Sequence, residues 1–77
     1  MAGNKSEIIG TIPKKDNLQI RASLTSYRNE MYIDIREYIE SEEYNGPTKK
    51  GIRFHMENWE AFYDLVKKID KEIKKRG

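Results

Sequence analysis

Apolar and polar residues alternate without a break over residues 18–25. Leu18, Ile20, Ala22 and Leu24 take one set of positions, and Gln19, Arg21, Ser23 and Thr25 take the other. Period two sustained over that length predicts a strand with one face toward a core and one toward water. The pattern returns over residues 31–39, with Met31, Ile33 and Ile35 inward and Tyr32, Asp34, Arg36 and Tyr38 outward. Glu37 interrupts the inward set and Ile39 resumes it, which predicts a bulge or the end of burial near Glu37. Residues 26–30 (SYRNE) make a hairpin-length connection between the two segments.

Residues 7–13 (EIIGTIP) suit a short first strand, and Gly10 and Pro13 suit an edge or a strand end. Residues 14–17 (KKDN) are turn chemistry. Residues 40–48 read as a loop closed by Asn45, Gly46 and Pro47, and residues 49–54 as a short fourth strand. Gly51 within that strand marks a bulge or a close approach of another backbone.

The period then changes. Trp59, Phe62, Val66, Ile69 and Ile73 are spaced 3, 4, 3, 4, one apolar stripe on a helix over residues 56–75, with Leu65 widening it. Glu57 and Glu60 near its start, and Lys71, Lys74, Lys75 and Arg76 near its end, complement the helix dipole. The order β-β-β-β-α predicts an α+β domain with the helix on one sheet face. Residues 1–6 are expected to be a flexible N-terminus, and residues 7–77 one domain.

A chain of 77 residues buries a modest core, and without cysteine it has neither disulfides nor thiolate metal sites to supplement it. A second subunit is the remaining source of buried area, so a homodimer is expected. The narrow 3-4 stripe resembles a helix–helix seam, which one helix per chain can complete only with a second copy. The plainer reading is that Trp59 and its companions pack on their own sheet. No segment approaches the roughly 18 apolar residues of a membrane helix, and the first thirty residues hold no secretory pattern. The expectation is a cytoplasmic protein, nucleoid-associated in a bacterium, with no membrane partner.

Net charge is +2, but its distribution is uneven. Residues 1–29 carry +3, residues 30–46 carry −5, residues 47–56 carry +3 and residues 57–77 carry +1. Cations therefore flank an acidic segment, a pattern that ordinary solvated surface also shows. Enzyme signatures are absent: no metalloprotease, nucleophile-elbow, Walker or EF-hand spacing occurs. The lone histidine, His55, sits at a strand-to-helix junction and reads as a cap or surface residue. No catalytic residue, cofactor, metal or small-molecule substrate is expected.

An open sheet face carrying Arg21, Ser23, Tyr32 and Arg36 suits single-stranded nucleic acid, which needs cations for phosphates and flat side chains for unpaired bases. Tyr27 and Arg28 stand at a hairpin tip, Lys49 and Lys50 follow the Gly-Pro turn, and Arg53 lies on the polar side of the fourth strand. Duplex reading is disfavoured, because the one helix is committed to burial.

The pattern I-D-I-R-E-Y at residues 33–38, then G-P-x-K-K-G-I at residues 46–52 and Trp59 beyond it, resembles the single-stranded-DNA-binding domain of transcriptional coactivator positive cofactor 4. The compact form is similar to its bacterial YdbC-type members, and the resemblance runs over residues 18–75. It implies a four-stranded antiparallel sheet followed by one C-terminal helix, in a homodimer joined through helices and sheets. It implies stacking by Tyr27 and DNA contacts by Arg28, Arg36, Lys49 and Lys50. Two positions depart from the family pattern: Ile39 stands where a stacking Trp often follows R-E-Y, and Glu30 stands where a basic residue is usual.

The function expected is sequence-independent binding of single-stranded DNA by a homodimer in transcription, replication or repair. The candidate contacts are Arg21, Tyr27, Arg28, Tyr32, Arg36, Lys49, Lys50 and Arg53. Two alternatives stay open: a protein-interaction module acting as a transcriptional regulator with nucleic acid incidental, and single-stranded RNA binding.

Overall fold

The computed structural model describes residues 5–77. Its elements are β1 (Lys5–Lys15), β2 (Leu18–Tyr27), β3 (Glu30–Glu40), β4 (Asn45–His55), a 3-10 turn (Met56–Asn58) and α1 (Trp59–Arg76). The strands form one antiparallel sheet in the order β1-β2-β3-β4. The predicted α+β class and element order are thus observed. The expectation of a flexible N-terminus falls mostly on residues 1–4, which lie outside the described residues, while Lys5 and Ser6 begin β1.

The central pair β2–β3 is unbroken from Leu18↔Ile39 to Tyr27↔Glu30. Leu24 stands beside Ile33 and Ala22 beside Ile35, so the two alternating patterns share one apolar face. The connection is shorter than predicted. Arg28 (φ 50°) and Asn29 (φ 66°) make a two-residue turn of the left-handed kind, whose twist matches that of the strands it joins. Tyr27 and Glu30 are therefore paired strand residues.

Both edge strands are longer than predicted. β1 absorbs Gly10 and Pro13 through irregularities between Ile8 and Gly10 and between Pro13 and Lys15, which an edge tolerates. On the other edge, Gly46 pairs with Ile39 and Pro47 with Tyr38, so β4 begins inside the predicted loop. The true connection is residues 41–44, closed by Ser41 N–H donating to the Tyr44 carbonyl at 2.9 Å. Tyr44 folds back and donates its hydroxyl to the Pro47 carbonyl at 2.9 Å. Gly46 leaves room for that ring, since a Cβ there would stand 2.7 Å from Tyr44 Oη.

The predicted irregularity near Glu37 lies in the partner strand. Arg36 pairs with Gly51 and Tyr38 with Pro47, so residues 48–50 stand opposite Glu37 alone. Thr48 stabilises the bulge twice: its hydroxyl donates to the Glu37 carbonyl at 3.0 Å and accepts the Lys50 N–H at 3.1 Å. Glu37 itself falls on the apolar face, opposite Ile20, and forms an ion pair with Lys14 at 2.5 Å.

The helix corrects one expectation. It does not lie across the sheet; it meets the sheet chiefly through its first turn, where Phe62 packs on Phe54 with ring centroids 4.8 Å apart. Beyond that turn the stripe is open, with Ile69 half exposed and Ile73 61% exposed. An apolar trough lined by Ile9, Leu24, Met31, Ile33, Ile35 and Trp59 separates sheet and helix. Among the described residues, Ile33 is the one buried apolar residue, 8% exposed. The Cα radius of gyration is 14.7 Å, where a compact chain of this length has about 11.5 Å. No helix of the described residues is long and apolar enough to cross a membrane.

Candidate nucleic-acid interface

Strand register arranges the polar side of the sheet in four cross-strand rows. Ser6, Thr25, Tyr32 and His55 form one; Ile8, Ser23, Asp34 and Arg53 the next; Thr11, Arg21, Arg36 and Gly51 the third; Pro13, Gln19, Tyr38 and Pro47 the fourth. Four of the predicted contacts, Arg21, Tyr32, Arg36 and Arg53, are thereby brought onto one face. Tyr27 and Arg28 extend that face at the hairpin end, with the Arg28 guanidinium 5.2 Å from the Tyr27 ring centre. Lys49 and Lys50 stand apart, exposed in the β4 bulge at the sheet edge.

Arg21 and Arg36 are directly opposed, an arrangement of like charges that is ordinarily destabilising. The two are accommodated differently. Arg36 donates from Nε to Asp34 Oδ1 at 3.0 Å and from Nη1 to the Thr48 carbonyl at 2.9 Å. Arg21 has no carboxylate partner among the described residues. It donates from Nη2 to the amide oxygen of Gln19 at 3.2 Å, and its guanidinium lies 3.6 Å from the centre of the Tyr38 ring. Its Nε is buried without a hydrogen-bond partner. Arg53 sits 5.1 Å from the ring centre of Tyr32.

At the upper edge of the face, Tyr32 meets His55 edge-on at 5.4 Å. His55 Nδ1 accepts the N–H of Glu57 at 3.0 Å, so the proton of the neutral ring resides on Nε2, which donates to Glu30. The histidine is the cap of the 3-10 turn. Its bond also occupies the Glu30 carboxylate, one of the two departures from the family pattern.

The acidic connection lies at the far end of the sheet from the Tyr27–Arg28 hairpin. Glu42 and Glu43 border Lys15, Asp16 and Leu18, and the Glu40 N–H donates to the Asn17 carbonyl at 2.8 Å. The acids of residues 40–43 are therefore segregated from the arginine rows, among which Asp34 is the one carboxylate. Among the described residues, no group of three or more His, Asp or Glu is placed to hold a metal ion.

The family model described as Transcriptional Coactivator p15 (PC4) matches residues 14–65, two thirds of the chain and every candidate contact. The chain belongs to the PC4 family. The fold agrees with a solved structure described as a bacteriophage T5 homolog of the eukaryotic transcription coactivator PC4 implicated in recombination-dependent DNA replication. That match has a TM-score of 0.58 and 24% identity, covering 95% of this chain and 90% of the phage protein.

Within the PC4 pattern, the second departure takes on a geometric meaning. Ile39 pairs with Leu18 and shares the apolar side, whereas Arg36 and Tyr38 share the polar side. Residue 39 thus lies outside the arginine face. Tyr38 is the side chain that sequence reasoning left out of the site. Its outward parity was legible, but its position under Arg21 depends on register across β2 and β3.

Proposed function

We propose that this PC4-family chain binds single-stranded DNA with little regard to sequence, as a homodimer, and without catalysis. The observation that carries the proposal is the open polar face, where Arg21, Arg36 and Arg53 stand in the two middle rows between Tyr32 and Tyr38, and the helix lies on the other side. Single strands need a cationic track with exposed π-faces, and such a face supplies both. Tyr27 and Arg28 extend the track at the hairpin, and Lys49 and Lys50 flank it at the β4 bulge. The phage relative's role in DNA replication favours replication or repair as the setting, alongside transcription. A soluble, nucleoid-associated location follows from that reading.

Area supports the dimer. The chain exposes 6639 Å², where a folded monomer of its mass exposes about 4,900 Å². The excess is about twice what one partner buries in a standard interface. The open stripe of α1 and the trough beside Ile33 are the surfaces whose covering would remove it.

Titrating labelled oligo(dT) and matched duplex over a salt series tests the reading. Tight, salt-dependent binding of the single strand with much weaker duplex binding is expected; equal affinity for both refutes it. Competition with oligo(U) distinguishes DNA from RNA. The rival reading, a protein-docking module, draws on the acidic residues 40–43; a protein partner retained after nuclease treatment would favour it.

A further inference from the structure

We infer that Arg21 and Tyr38, the last residue of the I-D-I-R-E-Y motif, act together as a stacking platform for one unpaired base. The inference rests on the single-strand reading and specifies where on the face a base is held. The guanidinium carbon of Arg21 lies over the Tyr38 ring, 3.6 Å from its centre, a close cation–π contact. Gln19, one position from each in the sheet lattice, holds the guanidinium there through Nη2 at 3.2 Å. The two side chains border a depression on the polar face, which Ile8, Pro47 and Thr48 line together with Asp34, Arg36 and Arg53. A flat, delocalised cation backed by an aromatic ring, with Ile8 and Pro47 in the same depression, suits a planar heterocycle.

Arg36 is unsuited to the same task. Its Nε and Nη1 are engaged by Asp34 and the Thr48 carbonyl, and its side chain is three-quarters buried. Arg21 is the cation of the opposed pair that lacks a carboxylate partner and retains an unpartnered Nε. A nucleotide seated on the platform brings its own phosphate close to that charge, so stacking and charge compensation coincide. The platform also supplies, on the arginine face, an aromatic contact that residue 39 does not provide.

The experiment compares two ligands of equal phosphate number: oligo(dT) and an abasic strand of the same length. Wild-type, Arg21→Lys, Tyr38→Leu and Tyr38→Phe proteins are titrated with each, and circular dichroism verifies folding. Arg21→Lys retains the charge but not the plane, and Tyr38→Phe retains the ring. Arg21→Lys and Tyr38→Leu are expected to weaken oligo(dT) binding about five- to tenfold. Both should leave abasic affinity and the salt slope unchanged, and Tyr38→Phe should behave as wild type. Unchanged oligo(dT) affinity in both variants overturns the platform, as does an equal loss on the abasic strand. Failure of the wild-type protein to bind oligo(dT) at all refutes the single-strand reading itself, and with it the platform.

Discussion

Arg36 reaches from β3 to the carbonyl oxygen of Thr48, 2.9 Å away, and so ties the centre of the sheet to the bulge in β4. The same guanidinium binds Asp34 at 3.0 Å. A side chain on the candidate binding face is therefore also a brace for that face. Arg36→Ala should destabilise the fold by about 1.5–3 kcal/mol, since it removes charge-assisted hydrogen bonds and leaves Asp34 unpaired. Chemical denaturation of the two proteins measures it. Arg36→Lys should recover only part of the loss, because an ammonium lacks the planar fork that meets both acceptors.

Gly51 faces the backbone of β3 so closely that a Cβ would stand 2.6 Å from the Ile35 carbonyl oxygen and 2.7 Å from Arg36 Cα. The two nearest atoms are backbone and the third is Arg36 Cβ at 2.9 Å, so no flexible side-chain end is there to yield. Gly51→Ala should cost about 1–3 kcal/mol, in the range of overpacking. Gly10→Ala is the control: nothing lies within 4 Å of a Cβ there. Its denaturation midpoint should equal or exceed that of the wild type.

Lys49 and Lys50 occupy the exposed bulge, away from the arginine rows. If they contact phosphates, replacing both with Ala should reduce the salt slope of oligo(dT) binding by up to about 1.4, two contacts at roughly 0.7 each on a single strand. Binding isotherms at four or more salt concentrations measure the slope. An unchanged slope would remove the pair from the site.

The hydrogen bond from Lys14 holds the Glu37 carboxyl below its ordinary value of 4.5, with the charges of Lys14, Lys50 and Lys15 acting in the same direction. A depressed folded-state value means that the unfolded chain takes up the proton first. The stabilisation is therefore complete above pH 4.5 and is lost as pH falls through the lowered folded value. Thermal melts from neutral to acid pH should show a smaller loss of Tm in Glu37→Gln than in the wild type.

The stripe on α1 should hold the dimer. Light scattering of the wild-type protein should give about twice the 9.1 kDa chain mass. The double variant Ile69→Glu, Ile73→Glu places two charges on the stripe and should give monomer or aggregate. A wild-type mass near 9.1 kDa at micromolar concentration would refute the dimer.

The elements that were legible in the sequence are those with a local period. Residues 18–25 and 31–39 disclosed β2, β3 and their apolar face, because side chains on a strand alternate whatever the partner. The 3-4 spacing from Trp59 to Ile73 disclosed α1 for the same reason. The edges were less legible. Gly10 and Pro13 read as an edge or a strand end, and Gly46 and Pro47 as the close of a loop, yet all four lie inside strands. Gly10 and Pro13 sit at irregularities of an edge strand, and Gly46 pairs with Ile39 beside the folded-back Tyr44 ring. Glu37 marked an irregularity correctly, but the extra residues belong to the strand paired with it.

The sequence by itself determined the α+β class, the family, the central hairpin and the set of cations and aromatics available on its polar side. Those follow from short-range periodicity and from motifs contiguous in the chain. Tertiary structure decided how those side chains meet: Arg36 braced by Thr48, Glu30 occupied by His55, Ile39 turned to the apolar face and Arg21 laid on Tyr38. Each depends on the register between strands. Register is set by long-range hydrogen bonding and by a bulge at residues 48–50, so no local window of residues contains it.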